Sequence, residues 1–185
     1  MNYKPMNLWH DVTLGDETPE VINVIIEIPK GSLNKYEIDK ETGLIKLDRA
    51  NYSSAPYPVD YGFAPQTLWD DGDALDVIVL STFPLAPGIL VKARPVAIME
   101  MIDGGDSDYK VIAVPVEDRR WDDVKDLKDI NKHHLKEYQH FFETYKALKG
   151  KKNEVVVNGY KGRKEAVAAV KRSIKLYEKQ FMKKA

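Results

Sequence analysis

The chain has no cysteine among its 185 residues, which excludes disulfides, thiolate zinc sites and cysteine nucleophiles. Its first residues also lack the apolar core of a signal peptide. No apolar run is long enough to span a membrane, because the longest, residues 77–102, contains three prolines, Lys92 and Arg94. We therefore expect a cytoplasmic protein that does not contact a membrane.

Several catalytic sequence motifs are missing as well. The chain has no G-x-x-x-x-G-K-[ST] phosphate loop, no G-x-G-x-x-G, no G-x-S-x-G and no H-E-x-x-H. Three of the four histidines (His133, His134 and His140) fall on one predicted helix, where structural or surface roles are commoner than metal ligation. A serine triad and a zinc hydrolase are therefore disfavoured. The net charge of −1 gives the whole molecule no general attraction for nucleic acid.

The hydrophobic pattern predicts one α+β, mainly β, domain over residues 1–185, because no repeat or linker divides the chain. Strands are predicted at residues 21–26, 35–39, 44–49, 77–80, 89–102, 110–116 and 154–157, with an irregular segment at residues 50–69. Amphipathic helices are predicted at residues 129–148, with Asp129 as N-cap and Gly150 as the end, and at residues 162–185. The second helix is basic, and such helices cover a sheet more often than they bind nucleic acid. This order favours a closed or partly closed antiparallel barrel with helices packed outside.

The densest charge lies in residues 70–76, which hold four carboxylates and one glycine directly before a buried strand. A turn at Gly72 can aim Asp71, Asp73 and Asp76 at one point, where hard oxygen ligands suit Mg²⁺, Mn²⁺ or Ca²⁺. A solvated acidic turn is the alternative. An EF-hand is excluded, because Leu75 and Thr82 stand where that loop needs acids. A second acidic, glycine-rich turn follows at residues 103–108.

Basic and aromatic residues accompany these acids along the chain. Together they form a mixture of carboxylates, lysines, an arginine and tyrosines. Acids hold divalent cations, and cations with basic side chains hold phosphate, so the mixture predicts phosphoryl transfer to water. The residues of this set are Glu27, Lys35, Glu37, Arg49, Asp71, Asp73, Asp76, Asp103, Asp108, Lys110 and Lys146.

Seven short motifs follow one another in order between about residues 21 and 148. They are Val24-Ile25-Ile26-Glu27-Ile28-Pro29, Lys35-Tyr36-Glu37-Ile38-Asp39, Asp48-Arg49, Tyr57-Pro58-x-x-Tyr61-Gly62, Asp71-Gly72-Asp73-x-x-Asp76, Asp103-x-x-x-x-Asp108-x-Lys110 and Phe141-Phe142-x-x-Tyr145-Lys146. In this combination the chain resembles the family I soluble inorganic pyrophosphatases, and its short length resembles the microbial members. The resemblance implies an OB-like five-stranded antiparallel barrel with two flanking helices that hydrolyses pyrophosphate.

The resemblance also implies the role of each site residue. Asp71, Asp76 and Asp103 would ligate a first Mg²⁺, and Asp108, Asp103 and Glu27 would hold further ions, with Mn²⁺ able to substitute. Asp73 would accept the proton of the attacking water beside Tyr61. The substrate-binding set would be Lys35, Glu37, Arg49, Tyr57, Lys110, Tyr145 and Lys146, in which Glu37 acts through the water shells of the metals. The microbial members also imply a homo-oligomer, a hexamer.

Two positions depart from the family pattern. Ala74 stands where relatives usually have proline or an acid, so we expect a looser loop and weaker preorganisation for metal. Asp60 stands where many relatives have Asn, and we expect it to add a charge beside Tyr61. Two rival functions stay open: an OB-type nucleic-acid-binding module without catalysis, and a Ca²⁺-binding structural protein.

Overall fold

A computed structural model of the protein describes residues 6–149 and 155–182. Gly150 and Glu154, the predicted end of the first helix and start of the last strand, lie outside the described residues. The strands that the structure describes are β1 (Ile22–Ile28), β2 (Asn34–Ile38), β3 (Ile45–Ala50), β4 (Asp60–Phe63), β5 (Asp76–Val79), β6 (Leu90–Asp103), β7 (Asp106–Ser107), β8 (Lys110–Pro115) and β9 (Val155–Gly162). The α-helices are α1 (Lys132–Thr144) and α2 (Arg163–Phe181), and short 3₁₀ helices cover Arg119–Trp121, Leu127–Asp129 and Ala147–Lys149.

Five strands pair in a closed ring, in the order β1, β4, β5, β8, β6 and back to β1. The pairs are antiparallel except β5 with β8, which run parallel, so the prediction of a wholly antiparallel barrel is wrong at this pair. A parallel pair needs a long crossover between its strands, and here the chain makes β6 and β7 on the way. The parallel register sets Asp76 opposite Lys110, which brings two predicted site residues side by side.

Strand β4 lies inside the segment that the sequence predicts to be irregular. It has only four residues, and Gly62 interrupts its hydrophobic pattern, so the strand signal is weak. The glycine is required by close packing, because a Cβ at position 62 would lie 1.9 Å from the carbonyl oxygen of Ile25 on β1. This close approach lets β1 and β4 pair and carries Tyr61 to the pocket described below.

Helix α1 is shorter than predicted. Its N-cap is Asn131, whose side chain accepts from the His133 amide at 2.8 Å, and not Asp129. Asp129 instead closes a capping box with Asp126 in the preceding 3₁₀ helix. The helix buries its aromatic face against β4, with Phe142 beside Tyr61 at 6.1 Å between ring centroids.

Helix α2 covers the other side of the ring. Its buried residues Ala166, Ala169 and Val170 pack in one cluster with Val77 of β5 and Ile98 of β6. Strand β9 pairs with the outer half of β6 and leads directly into this helix. Among the described residues, neither helix carries an apolar stretch of the length needed to cross a bilayer.

Candidate active site

A pocket of about 300 Å³ lies where β5 and β8 begin and β6 ends. Twelve of the fourteen predicted site residues line this pocket, although they come from six strands, two loops and the end of α1. They are Glu27, Lys35, Glu37, Tyr61, Asp71, Asp73, Asp76, Asp103, Asp108, Lys110, Tyr145 and Lys146. The ring therefore gathers residues that are up to about 120 positions apart in the sequence into one cavity.

A buried lysine lies at the centre of the pocket. The side chain of Lys110 is 2% exposed, and its Nζ donates to Asp76 Oδ2 at 2.7 Å, Asp108 Oδ1 at 2.7 Å and Tyr61 Oη at 2.9 Å. Burial by itself would lower the pKa of this lysine, but the carboxylates of Asp108 and Asp76 outweigh burial and raise the pKa above its usual value. Tyr61 also donates to Asp76, and burial first and then Asp76 hold the pKa of Tyr61 well above 10, so its hydroxyl stays a neutral donor.

Two carboxylates of the pocket are hard to ionise. Burial, reinforced by the charge of Asp76, raises the pKa of Glu27 to about 8, although its Oε1 accepts from the Ile38 amide at 2.7 Å. Burial also raises the pKa of Asp71 to about 6, against the Asp73 amide that donates to its Oδ1 at 3.0 Å. Burial, more than the neighbouring carboxylates, therefore keeps protons on these two acids, and such perturbed acids are common at functional sites.

The remaining lysines of the pocket are also paired with acids. Lys35 contacts Glu37 and lies 3.4 Å from Asp48, while Lys146 contacts Asp103. Among the described residues that line the pocket, seven acidic side chains face four lysines, so the acids outnumber the lysines even with Glu27 protonated at neutral pH. Such a set of hard oxygen donors with excess negative charge fits divalent cations such as Mg²⁺.

The acids are not arranged as a ready coordination shell. Within residues 6–149 and 155–182, no three acidic or histidine side chains are placed to hold a metal ion as they stand. The lysines explain this, because Asp76, Asp103 and Asp108 each bond to an ammonium group in the position of a cation. Metal binding therefore requires these ammonium groups to move off the carboxylates.

Two predicted site residues, Arg49 and Tyr57, lie beside the pocket without lining it. Arg49 shares Asp48 with Lys35, and its buried Nε has no hydrogen-bond partner among the described residues. Tyr57 is buried behind Tyr61, with 6.1 Å between the ring centroids. Arg49 is therefore one side chain away from the cavity, and its free Nε–H can donate a hydrogen bond to an oxygen of an anionic ligand.

The structure adds two pocket residues that the sequence analysis missed. Lys40 contacts Asp73, the predicted base, and its Nζ lies 5.4 Å above the ring of Trp9. Both residues line the pocket. The alternating pattern of β2 points to Lys35 and Glu37 but not to Lys40, which follows the strand in a turn, and Trp9 precedes the first strand. No spacing signal in the sequence identifies either residue.

Asp60 does not reach the pocket, so the expectation that it charges the surroundings of Tyr61 is wrong. Successive residues of a strand point to opposite faces. The Asp60 carboxylate is fully buried and accepts from the amides of Lys30 at 2.8 Å and Leu85 at 2.9 Å, and from the Ser81 hydroxyl. It therefore holds two loops together on the far side of β4.

Comparison with known proteins shows which family the chain belongs to. A family model described as inorganic pyrophosphatase matches residues 24–178. The chain is 49% identical over 166 residues to an inorganic pyrophosphatase of Thermus thermophilus, covering 89% of this chain and 95% of that protein. It is 45% identical over 174 residues to soluble inorganic pyrophosphatase 1 of Arabidopsis thaliana, covering 94% and 81%. The crystal structure of the Thermus thermophilus enzyme superposes with a TM-score of 0.90 over 94% of this chain and 99% of that one, at 48% identity.

Proposed function

Because the chain belongs to the inorganic pyrophosphatase family, its reaction is the hydrolysis of pyrophosphate to two orthophosphates, and we propose that bound Mg²⁺ ions assist this reaction in the carboxylate pocket. One observation carries the proposal. The pocket joins seven carboxylates with four lysines, and this combination suits a metal–phosphate complex better than either partner alone.

The acids that would hold the metal ions are Glu27, Asp71, Asp76, Asp103 and Asp108. When bound, such ions lower the pKa of a coordinated water and neutralise negative charge on phosphate oxygens. Mn²⁺ can take the place of Mg²⁺ at carboxylate ligands of this kind. The excess of acidic side chains over lysines in the pocket supports this assignment, since the surplus acids have no counter-charge among the lining lysines.

Basic residues would grip the substrate. Lys146 would leave Asp103 where metal takes its place, and Lys35 lines the same cavity beside Glu37, so both ammonium groups would be available to phosphate oxygens. Arg49 adds a guanidinium beside Lys35, and Tyr145 adds a hydroxyl that high pKa keeps protonated, because burial outweighs the nearby charge of Lys110. Lys110, which bonds to Asp76, Asp108 and Tyr61 in the metal-free pocket, would leave the two carboxylates in the same way and join the substrate-binding residues.

Asp73 is the proton acceptor in this proposal. Its side chain is 58% exposed and paired with Lys40, outside the buried Lys110 network. The water oxygen forms a bond to one phosphorus, the bond from that phosphorus to the bridging oxygen breaks, and Asp73 takes the proton of the water. The second phosphate leaves with the bridging oxygen, and the lysines stabilise its charge.

Phosphate release from pyrophosphate tests the proposal directly. The purified protein should release orthophosphate with Mg²⁺ present and lose this activity with a chelator, and Mn²⁺ should restore it. No release at any pH in the neutral to alkaline range would reject the function.

The nucleic-acid-binding alternative is not favoured, since its groove would need basic and aromatic side chains where this pocket has carboxylates. Four lysines among the acids also disfavour a structural Ca²⁺ site.

We further propose a homo-oligomer, a hexamer, in the cytoplasm. Large exposed apolar side chains support association, among them Leu44, Leu47 and Phe83 at 68%, 59% and 67% exposure. The absence of cysteine fits a reducing compartment. Light scattering at several protein concentrations tests the assembly, and cell fractionation tests the location.

A further inference from the structure

Trp69 closes the first acidic loop, residues 69–73, onto itself. Its backbone amide donates to the carbonyl of Asp73 at 2.7 Å, and its carbonyl accepts from the Gly72 amide at 3.1 Å. The loop carries Asp71 and Asp73, and Gly72 takes a left-handed conformation within it, at φ +85°. The side chain of Trp69 is not a lining residue of the pocket, and the residue is only 6% exposed.

The same tryptophan touches the second acidic segment, residues 103–108. Its indole Nε1 donates to Ser107 Oγ at 3.2 Å, and its ring lies against Tyr109 with 5.7 Å between centroids. Ser107 and Tyr109 flank Asp108, which bonds to Lys110. One side chain therefore bridges the two acidic segments that supply most carboxylates of the pocket.

Helix α2 holds the tryptophan from outside. The guanidinium of Arg172 lies 4.6 Å from the Trp69 ring centroid, and it donates to Asp70 Oδ1 at 2.6 Å. One residue further along α2, the Ser173 carbonyl accepts from the Leu68 amide at 3.0 Å. The basic helix, which the proposed function leaves without a role, is thus attached to the loop at three consecutive residues, 68–70.

The loop has a physical need for such an attachment. It contains three carboxylates within five residues, with Asp76 three positions further on, and like charges at this spacing push a flexible turn open. Gly72 adds backbone freedom, and Ala74 provides no ring that would restrict it. Without a fixed partner, the distance between Asp71 on one segment and Asp108 on the other would vary.

We propose that Trp69, clamped by Arg172, is a positioning residue that sets the spacing of the two acidic segments and thereby raises the affinity of the pocket for divalent cations. The proposal rests on the proposed function only in taking these carboxylates as metal ligands. It gives α2 a part in the reaction, although no residue of the helix lines the pocket.

Metal titration without substrate tests the proposal, with calorimetry as the readout. Trp69→Phe keeps an aromatic ring but removes the N–H, and Ser107→Ala removes the same hydrogen bond from the other side. Each variant should raise the dissociation constant for Mg²⁺ by about threefold to tenfold, the usual range for one lost hydrogen bond. The double variant should bind as weakly as either single variant, because both remove one interaction. Arg172→Met should also weaken binding.

Two matched control variants distinguish a positioning role of Trp69 from a general effect of removing an indole N–H or a guanidinium. Trp121→Phe removes an indole N–H that has no hydrogen-bond partner among the described residues, and Arg120→Met removes a guanidinium 5.5 Å from the exposed ring of Phe83. Both controls should bind Mg²⁺ as the unaltered protein does. At saturating Mg²⁺ the Trp69 and Ser107 variants should recover kcat, which a catalytic defect would not allow.

The outcomes are distinguishable. Unchanged Mg²⁺ affinity in Trp69→Phe and Ser107→Ala, or losses that multiply in the double variant, would overturn the positioning role. If Trp69→Phe does not fold, Ser107→Ala still decides, since Ser107 is half-buried at the end of a two-residue strand. If the protein binds Mg²⁺ but releases no phosphate, the proposed function is rejected. The Mg²⁺ titration of the variants would still decide whether Trp69 has the positioning role.

Discussion

Lys110 is the residue on which the metal-free pocket depends most. Its ammonium is buried, and each of its three described bonds goes to another residue of the site. The charge lowers the repulsion between Asp76 and Asp108, which would otherwise face each other across a poorly solvated cavity. The sequence places Lys110 among the basic residues that accompany the acids, but it does not show that this lysine is buried at their centre.

Replacing Lys110 by Met should destabilise the metal-free protein by about 3–5 kcal/mol, because two partly buried carboxylates lose their cation. Mg²⁺ should recover part of this loss by taking the place of the ammonium. Denaturant unfolding with Mg²⁺ and with chelator measures both effects. Lys46→Met is the control, since its ion pair with Asp39 at 3.2 Å is exposed and should be worth less than about 1 kcal/mol. Equal losses in the two variants would contradict the central role of Lys110.

Replacing Asp73 by Asn should lower kcat by about 10²–10⁴-fold, the usual contribution of a general base, and leave Mg²⁺ affinity nearly unchanged. Asp106→Asn removes an exposed acid of the β6–β7 turn outside the pocket and should leave turnover unchanged. Steady-state kinetics with a parallel Mg²⁺ titration measure both quantities. Full turnover in Asp73→Asn would assign the base to another residue.

The raised pKa values of Glu27 and Asp71 predict a pH dependence of metal binding. Both carboxyl groups must lose a proton to bind Mg²⁺, so affinity should rise from about pH 6 to about pH 9 as first Asp71 and then Glu27 ionise. Without metal, the stability of the folded state changes with pH in the opposite direction, because the folded state holds these protons more tightly than the unfolded state. Their contribution to stability is therefore complete below the unfolded pKa values and disappears as pH rises through about 6 and about 8.

Thermal unfolding across this pH range, with Mg²⁺ and with chelator, checks both signs. The shift in Tm caused by Mg²⁺ should grow with pH, and Glu27→Gln should reduce that growth. A shift that is independent of pH would show that the two acids do not exchange protons for metal.

At the scale of elements, the strands near the site differ in how well the sequence predicts them. Strand β1 is buried at all seven residues and is rich in β-branched apolar residues, with only Asn23 and Glu27 polar, so its location is clear. Strand β4 has four residues with a glycine among them, and its pairing comes from contacts with β1 and β5 that no local pattern encodes. The parallel pairing of β5 with β8 is also invisible locally, because direction depends on the path of the intervening chain.

Gly62 offers the sharpest test of this packing. Replacement by Ala would place a Cβ 1.9 Å from the Ile25 carbonyl oxygen, so β1 and β4 must separate, at an expected loss of more than about 3 kcal/mol. Gly31→Ala is the comparison, since that site has open space and only a left-handed φ of +87°, and it should lose about 1–2 kcal/mol. Denaturant unfolding measures both. A mild effect at position 62 would mean that the strands tolerate more space than the structure indicates.

At the scale of the whole molecule, the closed ring of strands brings residues that are far apart in the sequence to one cavity. The acidic and basic residues of the site could be predicted from the sequence, because charged residues at turn and strand positions are unusual enough to form motifs. Lys40, Trp9 and Trp69 could not, since a lysine in a turn and a buried tryptophan are common everywhere. Their roles depend on contacts across more than 30 residues, which only the folded chain specifies.

The central claim is that acids from separate segments bind divalent ions in one pocket. The anomalous signal of Mn²⁺ in a soaked crystal tests it most directly, because that signal locates the ions themselves. The account predicts peaks within bonding distance of Asp71, Asp76 and Asp103, with Lys146 moved off Asp103. Peaks only at other acids, or none in this pocket at a concentration that supports hydrolysis, would contradict it.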